Sequence, residues 1–441
     1  MKNIQVTDAA IFELLAQEGA RQTDGLTLIP SENHASTAVL EALASRISDK
    51  YAEGYPGKRY YPGNEIADQV ETLAIERAKA LFGVPFVNVQ PYSGSPANLA
   101  IYSAVCEPGE TIMGLNLLDG GHLTHGWKFS MTSKFWNSVP YHVLQDGSMD
   151  FEEIRRLALE HKPKIIVCGG TAIPRTIDFA AFAKIADEAG AYLLADISHI
   201  SGLVAGGQHP SPVEHAHLVM ATTHKTLRGP RGAMIMVTQK GLDKDPELGE
   251  KINKAIIPGL QGGPHLNTIA AIGVALHEAA QTAFKDYAAK VVANAKTLAN
   301  ELKARGFKLV TDGTDNHLTL IDLTPSGIGR GMFMDLALEK IGLCANRNMV
   351  PGDQSTPFYP SGLRLGTPAA TTRGMGEAEM KQIAQWMAKV ADLIKDVQLP
   401  GDKEARLALI KEFKHRIAND AELTKLCKEV KDVCENFPLP K

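Results

Sequence analysis

The chain has 441 residues, 44% hydrophobic and 22% charged, with a formal net charge of −4. That length exceeds one ordinary hydrophobic core, and so small a charge gives no reason to expect nucleic acid or an anionic membrane as a partner. No apolar run is long enough to span a bilayer. The five cysteines (Cys106, Cys168, Cys344, Cys427, Cys434) form no CxxC pair, which favours reduced cytosolic thiols over disulfides or zinc.

The opening stretch, MKNIQVTDAAIFELLAQ, is amphipathic and carries acids. It lacks the basic start and continuous apolar core of a signal peptide, so a cytoplasmic protein is expected. Residues 51–65 (YAEGYPGKRYYPGNE) mix Gly and Pro with Tyr, Arg and Glu. Polar loops of this kind on a rigid scaffold tend to hold binding residues. Next comes Ser93-Gly94-Ser95, opening the helical stretch PANLAIYSAV. Small residues at a helix start offer free backbone N–H groups and the positive dipole end, a phosphate cup; the plainer alternative is capping by Ser95. No GxxxxGK[ST] or GxGxxG competes. His122 and His125 stand three apart in GGHLTHG, but no HExxH or acidic cluster accompanies them, and no metal is expected.

Continuous apolar runs follow: KIIVCG (164–169), AYLLAD (191–196), HLVMAT (217–222) and AMIMVT (233–238), with a helical stretch around Phe179–Ala189. Such runs read as buried parallel strands of a doubly wound α/β sheet. Asp196 ends one of them. A buried acid needs a cationic partner, which a pyridinium nitrogen would be; the alternative is an N-cap for ISHISGLV. Lys225 follows the strand of HLVMAT, where ligands of open α/β sheets bind. Burial and the nearby Arg228 and Arg231 would lower its pKa and make it a usable amine nucleophile; the alternative is a solvated surface lysine. Cup, strand-end acid and lysine, in that order across one α/β unit, point together to pyridoxal phosphate.

Beyond Gly263 the pattern changes. Residues 265–305 are rich in helix formers, FKLV (307–310) and HLTLIDL (317–323) read as strands, and 377–394 and 403–434 as long amphipathic helices. The expected division is an N-terminal arm (1–50), a large domain (51–280) and a smaller α+β domain (281–441). Residues 345–368 read as a second polar loop rich in Gly and Pro.

LIPSENHAS (28–36), KYAEGYPGKRYYPGNE (50–65), NVQPYSGSPAN (88–98), GGHLTHG (120–126), DISHISGLVA (196–205), TTHKTLRGPRG (222–232), GLQGGPH (259–265) and SGLRLGTPAATTRG (361–374) resemble serine hydroxymethyltransferases. The resemblance runs from about residue 10 to NFPLP near the end of the chain. It implies a fold type I pyridoxal-phosphate enzyme, with a mostly parallel large-domain sheet, that moves the serine hydroxymethyl group to tetrahydrofolate and leaves glycine.

By that resemblance, Lys225 would hold pyridoxal 5'-phosphate covalently and Asp196 would bind its ring nitrogen. His122 would stack on the ring and His199 lie near its phenolic oxygen. Ser93, Gly94, Ser95 and Thr171 would also contact the cofactor, while Thr222 and His224 flank the lysine. Tyr51, Gly262 and Gly263 would complete the phosphate site from the neighbouring subunit, and Glu53 and Tyr61 would reach the serine hydroxymethyl group the same way. Ser31, His199 and Arg364 would bind the substrate carboxylate. Leu117, Gly121, Leu123 and Asn348 match folate-site positions. A homodimer or dimer of dimers with shared active sites is implied. Tyr92 stands where bacterial members usually carry His, and Ile173 where Tyr is more usual. A threonine-type aldolase and a catalytically silent binding subunit are the rival readings.

Overall fold

The computed structural model describes residues 2–440. Strands β1 (Phe86–Asn88), β2 (Thr111–Leu115), β3 (Asn137–Tyr141), β4 (Ile165–Cys168), β5 (Tyr192–Asp196), β6 (Leu218–Thr222) and β7 (Ala233–Val237) form the main sheet. Their spatial order is β1-β7-β6-β5-β4-β2-β3. Every residue of β4, β5, β6 and β7 is buried, as expected of strands covered on both faces. Alternate side chains divide cleanly between two cores. Ile166, Leu193, Val219 and Met234 enter one, which helices Phe151–His161 and Phe179–Ala189 cover. Ile165, Leu194, Leu218 and Ile235 enter the other, under helices Gly94–Val105 and Leu248–Lys254. The period of two along a pleated strand produces this division.

The expectation that 233–238 is a parallel strand is corrected. β7 runs antiparallel to both β1 and β6, whereas β6, β5, β4, β2 and β3 are mutually parallel. The chain between Thr222 and Ala233 is too short for a helical crossover, so it doubles back. Lys225 sits in that return loop.

A second sheet follows: β8 (Lys308–Leu309), β9 (Leu318–Asp322), β10 (Asn346–Asn348) and β11 (Gly362–Gly366). Its order is β8-β9-β11-β10, antiparallel throughout. The stretch expected as one polar loop over 345–368 therefore contains two paired strands, β10 and β11. The core of this half contains Ile321, Phe333, Trp386 and Phe413, and also Leu26 and Leu28 from the N-terminal region. Residues Leu26–Thr27 pair in parallel with Leu343–Cys344, so this part of the arm is stitched to the C-terminal half. Helix Thr282–Ala304 joins the halves: Val291 enters the first core and Leu298 the second. The expected single helix over 403–434 is two, Lys403–Ala418 and Ala421–Asn436. Asp420 breaks it by capping the second, its side chain accepting from the backbone N–H of Leu423.

No helix among the described residues is long and apolar enough to cross a membrane.

Candidate active site

The carboxyl ends of the parallel strands meet at one pocket. β5 ends in Asp196, β6 in Thr222, and the loops after β2 and β4 bring His122 and Thr171. Lys225 enters from the return loop, and His199 follows Asp196 by one turn.

Asp196 is buried and is not an N-cap; the next helix begins only at Ser201. Its Oδ2 accepts from His125 Nε2 at 2.9 Å and Asn98 Nδ2 at 3.1 Å, and its Oδ1 from the Ser198 N–H at 3.1 Å. Burial opposes the charge, but the bond to His125, the neighbouring His122 and the Ser198 N–H outweigh it and hold the carboxyl well below the usual range. An ionised carboxylate has about four acceptor positions, so one remains for a cation in the pocket. A Cβ on Gly169 would lie 2.2 Å from the Asp196 carbonyl oxygen, so only glycine permits this approach of β4 to β5.

Lys225 has its amine pushed down to about 8, by burial first, against Asp196 and with Arg364 and Arg231. The expected role of Arg228 is corrected. Its guanidinium turns away and lies 4.3 Å from the Tyr287 ring centre. His122 is pushed down to about 4 by burial and His125, and its Nδ1 accepts from the Thr124 N–H at 3.2 Å. The ring is therefore neutral, with its remaining proton on Nε2.

The helix start is built as a cup. Ser93, not Ser95, is the cap residue, and its hydroxyl makes no capping bond. The N–H groups of Gly94 and Ser95 belong to the unsatisfied first turn, and Pro96 has none. A Cβ on Gly94 would meet Thr222 Cγ2 at 2.8 Å. Free donors at a helix start, a lysine with a lowered pKa and an ionised acid with spare capacity fit a phosphorylated pyridine aldehyde.

Arg364, on β11, is buried beside this pocket. It donates to the Thr171 carbonyl and, at 3.1 Å, to Asn346 Oδ1. Burial lowers it to about 10, and no acidic side chain contributes to its state among the described residues. Such a guanidinium suits a ligand carboxylate. His199 is kept neutral by burial and by Lys225 and Arg364. Its Nδ1 lies 3.3 Å from Nε2 of His317.

The other expected residues are more scattered. Ser31 and His224 line a separate cleft with Arg231. Thr171 turns its hydroxyl toward the Gly120 and Gly121 carbonyls, each at 3.2 Å. Leu123 is half exposed beside His122, and Leu117 lies in the short helix before Gly121. Gly121 has a packing reason of its own, since a Cβ would lie 1.9 Å from the Leu115 carbonyl oxygen. Asn348 ends β10, next to the strand of Arg364.

Tyr51, Glu53, Tyr61, Gly262 and Gly263 form a second cluster, outside the walls of the Lys225 pocket. Tyr51 and Tyr61 meet edge to face at 5.1 Å. A Cβ on Gly263 would lie 3.5 Å from Tyr51, and one on Gly262 3.4 Å from Glu53. Tyr51 is 57% exposed, so the cluster is presented outward.

Asn98 and His317, which carry no signal in the sequence, and His125, which there suggests only a metal pair, bond to Asp196 or His199. Each is an isolated polar residue in the sequence, and only the fold brings them to Asp196 and His199.

The family model for serine hydroxymethyltransferase matches residues 4–387. A serine hydroxymethyltransferase of Acidothermus cellulolyticus is 54% identical over 438 residues, covering 99% of this chain and 97% of the relative. That of Sorangium cellulosum is 51% identical over 441 residues, covering 100% and 97%. That of Desulfotalea psychrophila is 49% identical over 440 residues, covering 100% and 96%. With its α/β fold, mostly parallel main sheet and matched length, the chain belongs to the serine hydroxymethyltransferase family.

Proposed function

We propose that the Lys225 pocket transfers the serine hydroxymethyl group to tetrahydrofolate, reversibly, giving glycine and 5,10-methylenetetrahydrofolate. The observation that carries this reading is the burial of Lys225, Asp196 and Arg364 together. They supply an amine free near pH 8, an ionised acid with spare capacity and a guanidinium with no acidic partner among the described residues.

When bound, pyridoxal 5'-phosphate supplies a protonated ring that takes up the electron pair released as the Cα–Cβ bond breaks. Lys225 offers the unprotonated amine that such an aldehyde requires. Asp196 would hold a proton on the ring nitrogen, and His122 would pack against the ring. Ser93, Gly94 and Ser95 bind the phosphate. Arg364 takes the substrate carboxylate in its fork, which decides which bond at Cα is aligned to break. His199 closes the pocket as a neutral ring and excludes water.

The remaining groups come from a second copy. The partner's Glu53 holds or moves a proton at the serine hydroxyl oxygen, and the partner's Tyr51, Tyr61, Gly262 and Gly263 complete the walls. Helix Ala9–Asp24 supports a dimer. It buries none of its residues and exposes Ile11, Leu14 and Leu15. Leu117, Gly121, Leu123 and Asn348 form the pterin side. The two cores support a cofactor-holding unit and a second unit that supplies Arg364, with the boundary inside helix Thr282–Ala304 rather than at residue 280, and with Leu26 and Leu28 of the arm joining the second. The five free thiols support a cytoplasmic location.

The test is glycine formation from serine with and without tetrahydrofolate. Fast cleavage only with the folate is expected. Equal rates in both would replace this reading with a folate-independent aldolase.

A further inference from the structure

Two short segments are bonded together just ahead of the cup. Tyr92 leads directly into Ser93, while Gly262 and Gly263 belong to the outward cluster. Two side chains, Gln261 and Tyr92, join them. Gln261 Oε1 accepts from the Tyr92 N–H at 3.0 Å, and Gln261 Nε2 donates to the Gln90 carbonyl at 2.8 Å. The Tyr92 hydroxyl donates back to the Gly263 carbonyl at 2.8 Å, and the Tyr92 ring stacks on His265 with centres 4.1 Å apart.

The stitch continues to the backbone on either side of Glu53. Gln90 Nε2 donates to the Gly54 carbonyl at 3.0 Å and to Glu71 Oε1 at 2.8 Å. Glu71 Oε2 accepts from Arg59 at 2.6 Å, and Arg59 also donates to the carbonyls of Ala52 and Gly54, both at 2.8 Å. Asp68 completes the clamp, accepting from Arg59 Nε and the Gly57 N–H, both at 2.8 Å. Gln90, Glu71 and the Arg59 side chain are all buried. Hydrogen bonds to charged groups in such a setting are strong and directional.

We propose that Gln90 and Gln261 are positioning residues that make one rigid unit of the cup a subunit keeps and the groups it lends to its neighbour. Anchoring a phosphate at Ser93–Ser95 then fixes Tyr92, Gln261 and the Gly262–Gly263 segment, and through Gln90 the backbone beside Glu53. The neighbour's cofactor site is built partly from those groups, so occupancy of one site alters affinity at the other. This inference rests on the shared-site reading above.

The test is titration of the cofactor-free protein with pyridoxal 5'-phosphate, counting bound molecules per dimer by native mass spectrometry. Independent identical sites give stepwise association constants in a ratio of about four; coupling shifts that ratio by roughly five-fold or more. The unmodified protein should show such a shift. Gln261→Met and, separately, Gln90→Met should return the ratio to about four. A residue needed only for stability would lower both constants alike and leave their ratio unchanged. Two variants at different points of the stitch guard against one failing to fold. A ratio of about four in the unmodified protein, or an unchanged shift in both variants, would overturn the proposal. If sites are shared but uncoupled, the ratio stays at about four while mixed dimers of two inactive variants still recover activity. A protein that runs as a monomer in the same spectra would overturn both readings.

Discussion

His125 holds its Nε2 2.9 Å from Oδ2 of Asp196, with both side chains buried at the floor of the pocket. The bond fixes the carboxylate in one orientation and favours its charged form. Hydrogen bonds to charged groups contribute about 1.5–3 kcal/mol. His125→Ala should therefore lower kcat by roughly 10- to 100-fold, with a smaller loss of cofactor affinity because the cup is untouched. Steady-state kinetics and cofactor titration check this. An unchanged kcat would make the pair a packing feature only.

The state of Lys225 predicts a pH dependence. Its amine is lowered to about 8, so the neutral fraction grows as pH rises through that value. The rate at which cofactor-free protein recaptures pyridoxal 5'-phosphate should climb between about pH 7 and pH 9 and then level off. A rate still climbing toward pH 10.5, the ordinary lysine value, would show that burial and Arg364 do not act on this amine.

The strands around this chemistry were legible because β4, β5 and β6 are continuous apolar runs, which suit a sheet covered on both faces. The direction of β7 was not, since an apolar run looks the same in either sense. The ten-residue return between Thr222 and Ala233 carried the signal. The break at Asn419-Asp420 was marked by a capping residue inside an otherwise periodic stretch. The places of Asp196 at the end of β5 and of Lys225 just beyond the end of β6 were legible. His125, Asn98 and His317 were not, because a polar residue's value here depends on what a distant part of the chain places beside it. The Gln90–Gln261 stitch joins residues 171 apart in sequence.

Glu53 should separate two activities. Glu53→Gln keeps the shape beside Gly262 but cannot take up a proton. Folate-dependent serine cleavage should fall steeply, by roughly a hundredfold or more. Cleavage of allo-threonine without folate should survive, because it depends on the Lys225 pocket more than on Glu53. Parallel rate measurements decide this, and equal loss of both would make Glu53 structural.

Shared sites predict complementation. Lys225→Ala and Tyr51→Ala should each be inactive. Refolded together, half of randomly paired dimers are mixed, and one of the two sites in each mixed dimer is intact, so roughly a quarter of full activity should return. Native mass spectrometry confirms that mixed dimers form. Recovery no greater than the two variants give separately would return Tyr51, Glu53 and Gly262 to a role within their own subunit.

Everything proposed for this pocket depends on Lys225 being the amine that holds the cofactor. Borohydride reduction of the cofactor-loaded protein, followed by digestion and peptide mass spectrometry, tests it directly. One modified lysine, Lys225, is expected, with bleaching of the yellow colour. Lys225→Ala should carry no covalent label and show no steady-state turnover. A label on any other lysine, or full turnover by Lys225→Ala, would contradict it.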